Sequence, residues 1–181
     1  MFGVPYYFLT HYDVKSSIYR TTYMLNTGEW LPQEVDFYPL MYAGLRPDDP
    51  NSYEFENAAK RAEYKQACMR LYFCKSAEEQ WNKMRRAGML PDYCGKEEQL
   101  ANIAAARRKM RRAVGGKTYG PEIFLHESCL LMMLRRELYK RGVRTSQCYD
   151  GFWSDDARLP TMCEEILPVV AAAYRERSCN K

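Results

Sequence analysis

Val143-Arg-Thr-Ser-Gln-Cys-Tyr-Asp-Gly-Phe-Trp-Ser154 is the stretch on which the fold turns. Extended-favouring residues stand on both sides of Asp150-Gly151, and Asp-Gly between two such segments is a strong hairpin signal. Two short strands meeting at Asp150-Gly151 are therefore expected. Immediately upstream, residues 122–141 read as a long helix. It is apolar in its middle (Cys129-Leu-Leu-Met-Met-Leu134), basic toward its end, and stopped by Gly142 as the residue after the C-cap. Downstream, a last helix is expected over 161–177.

Toward the N-terminus, Val4-Pro-Tyr-Tyr-Phe-Leu-Thr-His-Tyr-Asp13 is rich in aromatic and β-favouring types and predicts a strand ending at Asp13. A helix over Ser16–Leu25 should follow, closed near Asn26-Thr27-Gly28. Residues 28–53 are punctuated by Pro and Gly and are expected to be irregular, with one helical turn around 36–41. Three helices come next, over 54–73, 76–87 and 96–113. Ser76 is the expected N-cap of the second, with Glu79 its capping-box partner and Gly88 its stop. Gly115-Gly116 ends the third. Strand, helices, hairpin, helix is an α+β order with helices in the majority.

The 181 residues suit one domain, or one domain with a subdomain inserted in it, and a hydrophobic share of 46% allows a real core. Net charge is only +4, but its distribution is uneven. Arg107, Arg108, Lys109, Arg111, Arg112 and Lys117 fall in one run without an acid, the electrostatic footprint of phosphate contacts. Fifteen tyrosines suit wet surfaces and base stacking. Seven cysteines, an odd number with no CxxC pair, argue against a disulfide framework and a zinc ribbon. With no secretory signal at the N-terminus and no apolar run of membrane-spanning length, a cytoplasmic protein without membrane partners is expected.

Two acids stand where the chain changes direction, Asp13 at a strand end and Asp150 at a hairpin tip. Catalysis with two Mg²⁺ ions ~4 Å apart requires carboxylates from separate segments brought side by side, and two aspartates suffice because phosphate and water supply the other ligands. Arg61, Lys65, Met69 and Phe73 recur every four residues and form one stripe of a helix, two cations followed by two apolar groups. Such a stripe suits triphosphate oxygens at one end and a base at the other. His11, a lone strand histidine, reads as simply packed.

On these residues the chain resembles the superfamily of family A DNA polymerases and phage-type single-subunit RNA polymerases. Their fingers helix carries Arg-x-x-x-Lys, an apolar residue four later and an aromatic four after that, as at Arg61, Lys65, Met69 and Phe73. Met69 is similar to the RNA polymerase branch, whereas Phe73-Cys74 departs from the usual Tyr-Gly. Tyr149-Asp150 stands where the superfamily has His-Asp at a hairpin tip. Ile123-Phe-Leu-His-Glu-Ser128 resembles the helix opening that supplies a histidine near the incoming nucleotide and primer end, here His126. Asp13 and Arg20 keep the seven-residue spacing of the family's first motif, and Ile18 replaces the glutamate that gates the ribose in the DNA polymerases.

The resemblance implies a small antiparallel palm-like sheet with an inserted helical fingers subdomain. Its parts would be palm over 1–52, fingers-like insertion over 53–120 and palm again over 121–181. It implies a template-directed nucleotidyltransferase of the kind serving phage or plasmid replication or transcription. Asp13 and Asp150 would hold two Mg²⁺ (Mn²⁺ as substitute). Lys65 would donate a proton to the leaving pyrophosphate. Arg61, Lys65, Met69, Phe73, His126 and Arg20 would surround the nucleoside triphosphate. The cations from Arg107 to Lys117 would follow the phosphates of a DNA or RNA template or primer. The chain has no length for a thumb: it would be a minimal or excised catalytic core or a reduced relative, and a partner subunit could supply the thumb. Two alternatives stand beside this one. The first is a non-catalytic nucleic-acid-binding module or reduced polymerase relative. The second is a small helical interaction protein that uses Leu130–Leu134, although Leu and Met at that spacing read as core.

Overall fold

The computed structural model describes residues 9–33, 37, 58–90, 95–148 and 150–179. The chain divides into two units, the first made of Met1–Val35 with Pro121–Lys181 and the second of Asp36–Gly120. The boundary expected between residues 52 and 53, and all of the expected turn at 36–41 except Phe37, lie outside the described residues.

The first unit is α+β. Strand β1 (Thr10–Asp13) leads into helix α1 (Ser17–Thr27). After the second unit come α5 (Ile123–Lys140), β2 (Ser146–Cys148), β3 (Gly151–Ser154) and α6 (Leu159–Cys179). The strands form a three-stranded antiparallel sheet in the order β1-β3-β2. Because side chains alternate across a strand, Tyr12 and Phe152, which are register partners, turn together into the core. There they meet Leu130, Leu134 and Leu138 of α5 and Cys163, Ile166 and Leu167 of α6. Burial pushes the Cys163 thiol up to about 12, as expected of a cysteine acting as a small hydrophobe.

The apolar run at residues 129–134 is divided by helix geometry. Leu130, Leu131 and Leu134 are buried, while Met132 faces out. Helix α5 ends as its sequence predicts. The N–H of Val143 donates to Leu138 O and that of Gly142 to Tyr139 O, both at 3.0 Å, with Gly142 at φ 81°. This is a Schellman closure, which a residue without Cβ enters at least cost.

The hairpin departs from expectation at its tip. Gly151 is not in the turn but is the first residue of β3, opposite Asp13 on one side and Cys148 on the other. A Cβ there would lie 2.6 Å from the backbone oxygen of Tyr12. The glycine is therefore required by close approach of β1 rather than by a left-handed turn conformation. Gly151→Ala is expected to cost about 1–3 kcal/mol by overpacking the β1–β3 contact, read as a lowered urea midpoint. An unchanged midpoint would mean that the strands do not approach so closely.

Asp156 leads into α6 as a bidentate acceptor for Arg158, at 2.7 and 3.0 Å, and also accepts the Arg158 N–H at 2.9 Å. These contacts lower its pKa from 3.8 to about 2. A depressed carboxylate stabilises the fold fully above its unfolded value and loses that contribution as pH falls through the folded one. Thermal melts of Asp156→Asn should therefore lie below wild type at pH 5 and above, and converge with it as pH falls toward about 2. A gap that persisted in acid would contradict this.

The second unit is helical: α2 (Ala58–Phe73), α3 (Ala77–Arg86) and α4 (Lys96–Ala113). Helix α4 packs on both of the others, burying Leu71, Trp81, Met84, Ile103, Ala106 and Met110. The buried Trp81 indole donates to Gln99 at 2.8 Å. Ser76 caps α3 by accepting the Glu79 N–H at 3.1 Å. Glu79 returns its bond to the Lys75 N–H, at 2.8 Å, one residue earlier than the standard box.

Candidate active site

Along β1, His11 and Asp13 are exposed on the sheet face opposite the core. Their register partners are Trp153 and Gly151. The His11 ring stacks on Trp153 with centroids 4.3 Å apart, a packed role that agrees with its sequence reading. His11 Nε2 and Asp13 Oδ1 lie 3.0 and 3.2 Å from the point where a Gly151 Cβ would stand. The missing side chain leaves that point to them. The ladder continues one step further, with the Val14 N–H donating to Asp150 O at 3.1 Å. Asp13 and Asp150 thus occupy neighbouring segments of the sheet at adjacent register positions.

The segment after β1 is pinned by polar contacts. Tyr12 Oη donates to Glu164 at 2.7 Å and accepts from Gln33 Nε2 at 2.6 Å. Burial raises the Tyr12 pKa far above its ordinary value, so the hydroxyl stays protonated. Gln33 Oε1 accepts the Lys15 N–H at 3.0 Å. These bonds hold the strand end that carries Asp13.

Among the described residues no group of three or more His, Cys, Asp or Glu is placed to hold a metal. At this strand end Asp13 stands on the exposed sheet face, and Asp150 belongs to the turn beside it. Two carboxylates turned to one ion would suit Mg²⁺, which binds one or two carboxylates and takes its other oxygens from phosphate and water.

Arg20 is a correction to the sequence reading. It is fully buried, donating Nε to Lys15 O at 2.7 Å and an Nη to Leu31 O at 3.1 Å. It ties the two flanks of α1 together and presents nothing to a ligand. His126, on α5, is half-buried with Nδ1 2.7 Å from Tyr174 Oη of α6, the rings edge to face.

In the second unit, the stripe read from the sequence lines one groove. Lys65, Met69 and Phe73 border a cavity of about 520 Å³ together with Ala62, Gln66 and Arg70 of α2, Cys74 just beyond its end, and Lys83 of α3. The spacing of three and four residues along α2 puts them on one face. Among the described residues no acid lines the groove. Lys83 is shared with Glu79 at 2.8 Å, and burial pushes the Cys74 thiol up. The Arg61 side chain lies outside the described residues.

The basic run also divides. Arg107 turns inward, donating to Leu71 O and Lys75 O at 3.2 Å and to Gln80 Oε1 at 3.5 Å. Desolvation, then the neighbouring Arg111 charge, lowers its pKa. It is thus a clamp between α4 and the end of α2, which corrects its expected role at phosphate. Arg108, Lys109, Arg111 and Arg112 are exposed around the opposite face of α4 from buried Met110. Lys117 is exposed beyond it, 4.9 Å over the Tyr119 ring.

Sequence reasoning passed over Arg70 and Lys83 in the groove and the His11–Trp153 pair on the sheet. Period two along His11-x-Asp13 and Gly151-x-Trp153 was the signal that could have joined the latter. Comparison of the chain with protein-family models, with curated proteins and with solved structures gave no match.

Proposed function

We propose that the protein is a template-directed nucleotidyltransferase of the polymerase kind. The observation that carries this reading is the β1–β3 register, in which Asp13 stands opposite Gly151 and next to Asp150. Two aspartates from segments far apart in the sequence thereby come to one strand end, and phosphoryl transfer assisted by divalent ions would need both carboxylates to turn to the ions there. Bound there, Mg²⁺ or Mn²⁺ would offset charge on the transferring phosphate. Asp13 and Asp150 would hold it, and Gly151 keeps side-chain bulk away from Asp13.

The groove on α2 supports the same reading independently. Lys65, which lines it, would offer a cation to triphosphate oxygens and give a proton to the leaving pyrophosphate. Met69 and Phe73 offer apolar surface to a base. Arg108, Lys109, Arg111, Arg112 and Lys117 suit a template or primer backbone.

The test is extension of a labelled primer on short DNA and RNA templates with Mg²⁺ or Mn²⁺, offering dNTPs and NTPs separately. Extension is expected with one sugar class. The exposed cationic face of α4 favours a second reading, a nucleic-acid-binding module that needs no catalysis or that works with a partner subunit. A template shift in a gel without extension, under every metal and nucleotide combination, would select it.

A further inference from the structure

The outer face of α5 carries a pattern that the proposed chemistry does not use. Among the described residues five large apolar side chains are exposed, and four of them, Phe124, Leu125, Met132 and Tyr139, are on this one helix. Leu125, Met132 and Tyr139 are 66%, 65% and 73% exposed and recur every seven residues, so they form one seam along the helix. Single exposed apolar groups are ordinary, whereas apolar groups repeated along one line of a helix mark a surface that is covered in use.

Beside the seam, α5 and α6 enclose a groove of about 460 Å³ within the first unit. Cys129, Met132, Met133 and Tyr174 supply its apolar wall. Two guanidiniums, Arg136 of α5 and Arg177 of α6, stand on its border. Both side chains are exposed, and among the described residues neither forms an ion pair. Arg135, Lys140 and Arg141 extend the positive charge along the same end of α5, against Glu137 alone, which is itself paired with Lys140 at 2.6 Å.

We infer that this face docks an acidic amphipathic helix of a partner protein. Its apolar residues would lie along Leu125, Met132 and Tyr139, and its carboxylates would meet Arg136 and Arg177. A straight apolar seam along one helix suits a second helix laid beside it, whose own apolar side chains return to one line every seven residues. The flanking arginines select acidic flanks. The seam itself is apolar, and that distinguishes the surface from the cationic face of α4. The inference is independent of nucleotide chemistry and is tested without it.

The probe is a synthetic three-heptad helix with Leu at the a and d positions and Glu at e and g, labelled with fluorescein. A counterpart has Lys in place of Glu. Fluorescence anisotropy at physiological salt should show binding of the acidic peptide and little of the basic one. Leu125→Ser with Met132→Ser should weaken the acidic peptide at least about 10-fold. Arg136→Glu with Arg177→Glu should reverse the preference toward the basic peptide. All four positions are surface ones, and circular dichroism checks that the variants remain folded. Equal binding of both peptides, or binding of neither, overturns the inference. So does a dimer in sedimentation that dissolves with Met132→Ser, since a second copy would then be the occupant.

Discussion

Asp13→Asn and Asp150→Asn are each expected to lower primer extension at least about 100-fold, the scale on which a single charge-stabilising group acts at a transferring phosphate. Asparagine keeps the size and shape of the side chain and removes only its negative charge. The Asp13 carboxylate is exposed, and the bond by which Asp150 holds the ladder is made by its backbone oxygen. Neither change removes a backbone bond of the sheet, and unfolding free energies should stay within about 1 kcal/mol of wild type. Loss of activity with intact stability isolates the charge. Activity within a few-fold of wild type in either variant would remove that aspartate from the site.

Arg20→Ala is expected to have the largest effect on stability, about 3 kcal/mol or more. The side chain is completely buried, so truncation leaves a cavity. It also strips the Lys15 and Leu31 carbonyls of the donors at 2.7 and 3.1 Å. Arg20→Lys should recover only part of the loss, because an ammonium lacks the planar fork that spans two carbonyls. Equilibrium urea unfolding measures both. A loss under about 1 kcal/mol for Arg20→Ala, the level of an ordinary surface change, would contradict the buried clamp.

The contrast between Arg20 and Asp13 shows where the sequence was legible. Asp13 was readable because a strand end is a local property, set by the aromatic run before it. Arg20 keeps a seven-residue spacing that a motif can match, but its fate is set by carbonyls at residues 15 and 31, and a one-dimensional pattern does not carry them. Lys65, Met69 and Phe73 were legible because period four on a helix fixes a shared face, and one groove collects all three. The basic run misled at Arg107 for the same geometric reason. A run of charge in sequence is wrapped around a helix in space, and Arg107 falls toward α2 while Arg108, Lys109, Arg111 and Arg112 face outward.

Gly151 was recognised as special on the wrong ground. Asp-Gly signals a turn because glycine tolerates positive φ, but here its lack of a Cβ lets β1 approach within the ladder. The same absence leaves open the spot beside Asp13, so one residue serves both strand pairing and the candidate site. The seam on α5 was hidden by its composition. Leu130, Leu131 and Leu134 belong to the core as their spacing implies, while Met132, in the same run, points the other way.

Asp13 and Asp150 are proposed to act as one cation site, and Mn²⁺ binding measured by electron paramagnetic resonance tests this most directly. The wild-type protein should bind Mn²⁺, and Mg²⁺ should compete for the same site. Asp13→Asn and Asp150→Asn should each weaken binding at least about 10-fold, and the double variant should be little worse than either single one. Mn²⁺ affinity that is unchanged in either single variant would show that the two carboxylates do not share an ion, and the proposed chemistry would fall with it.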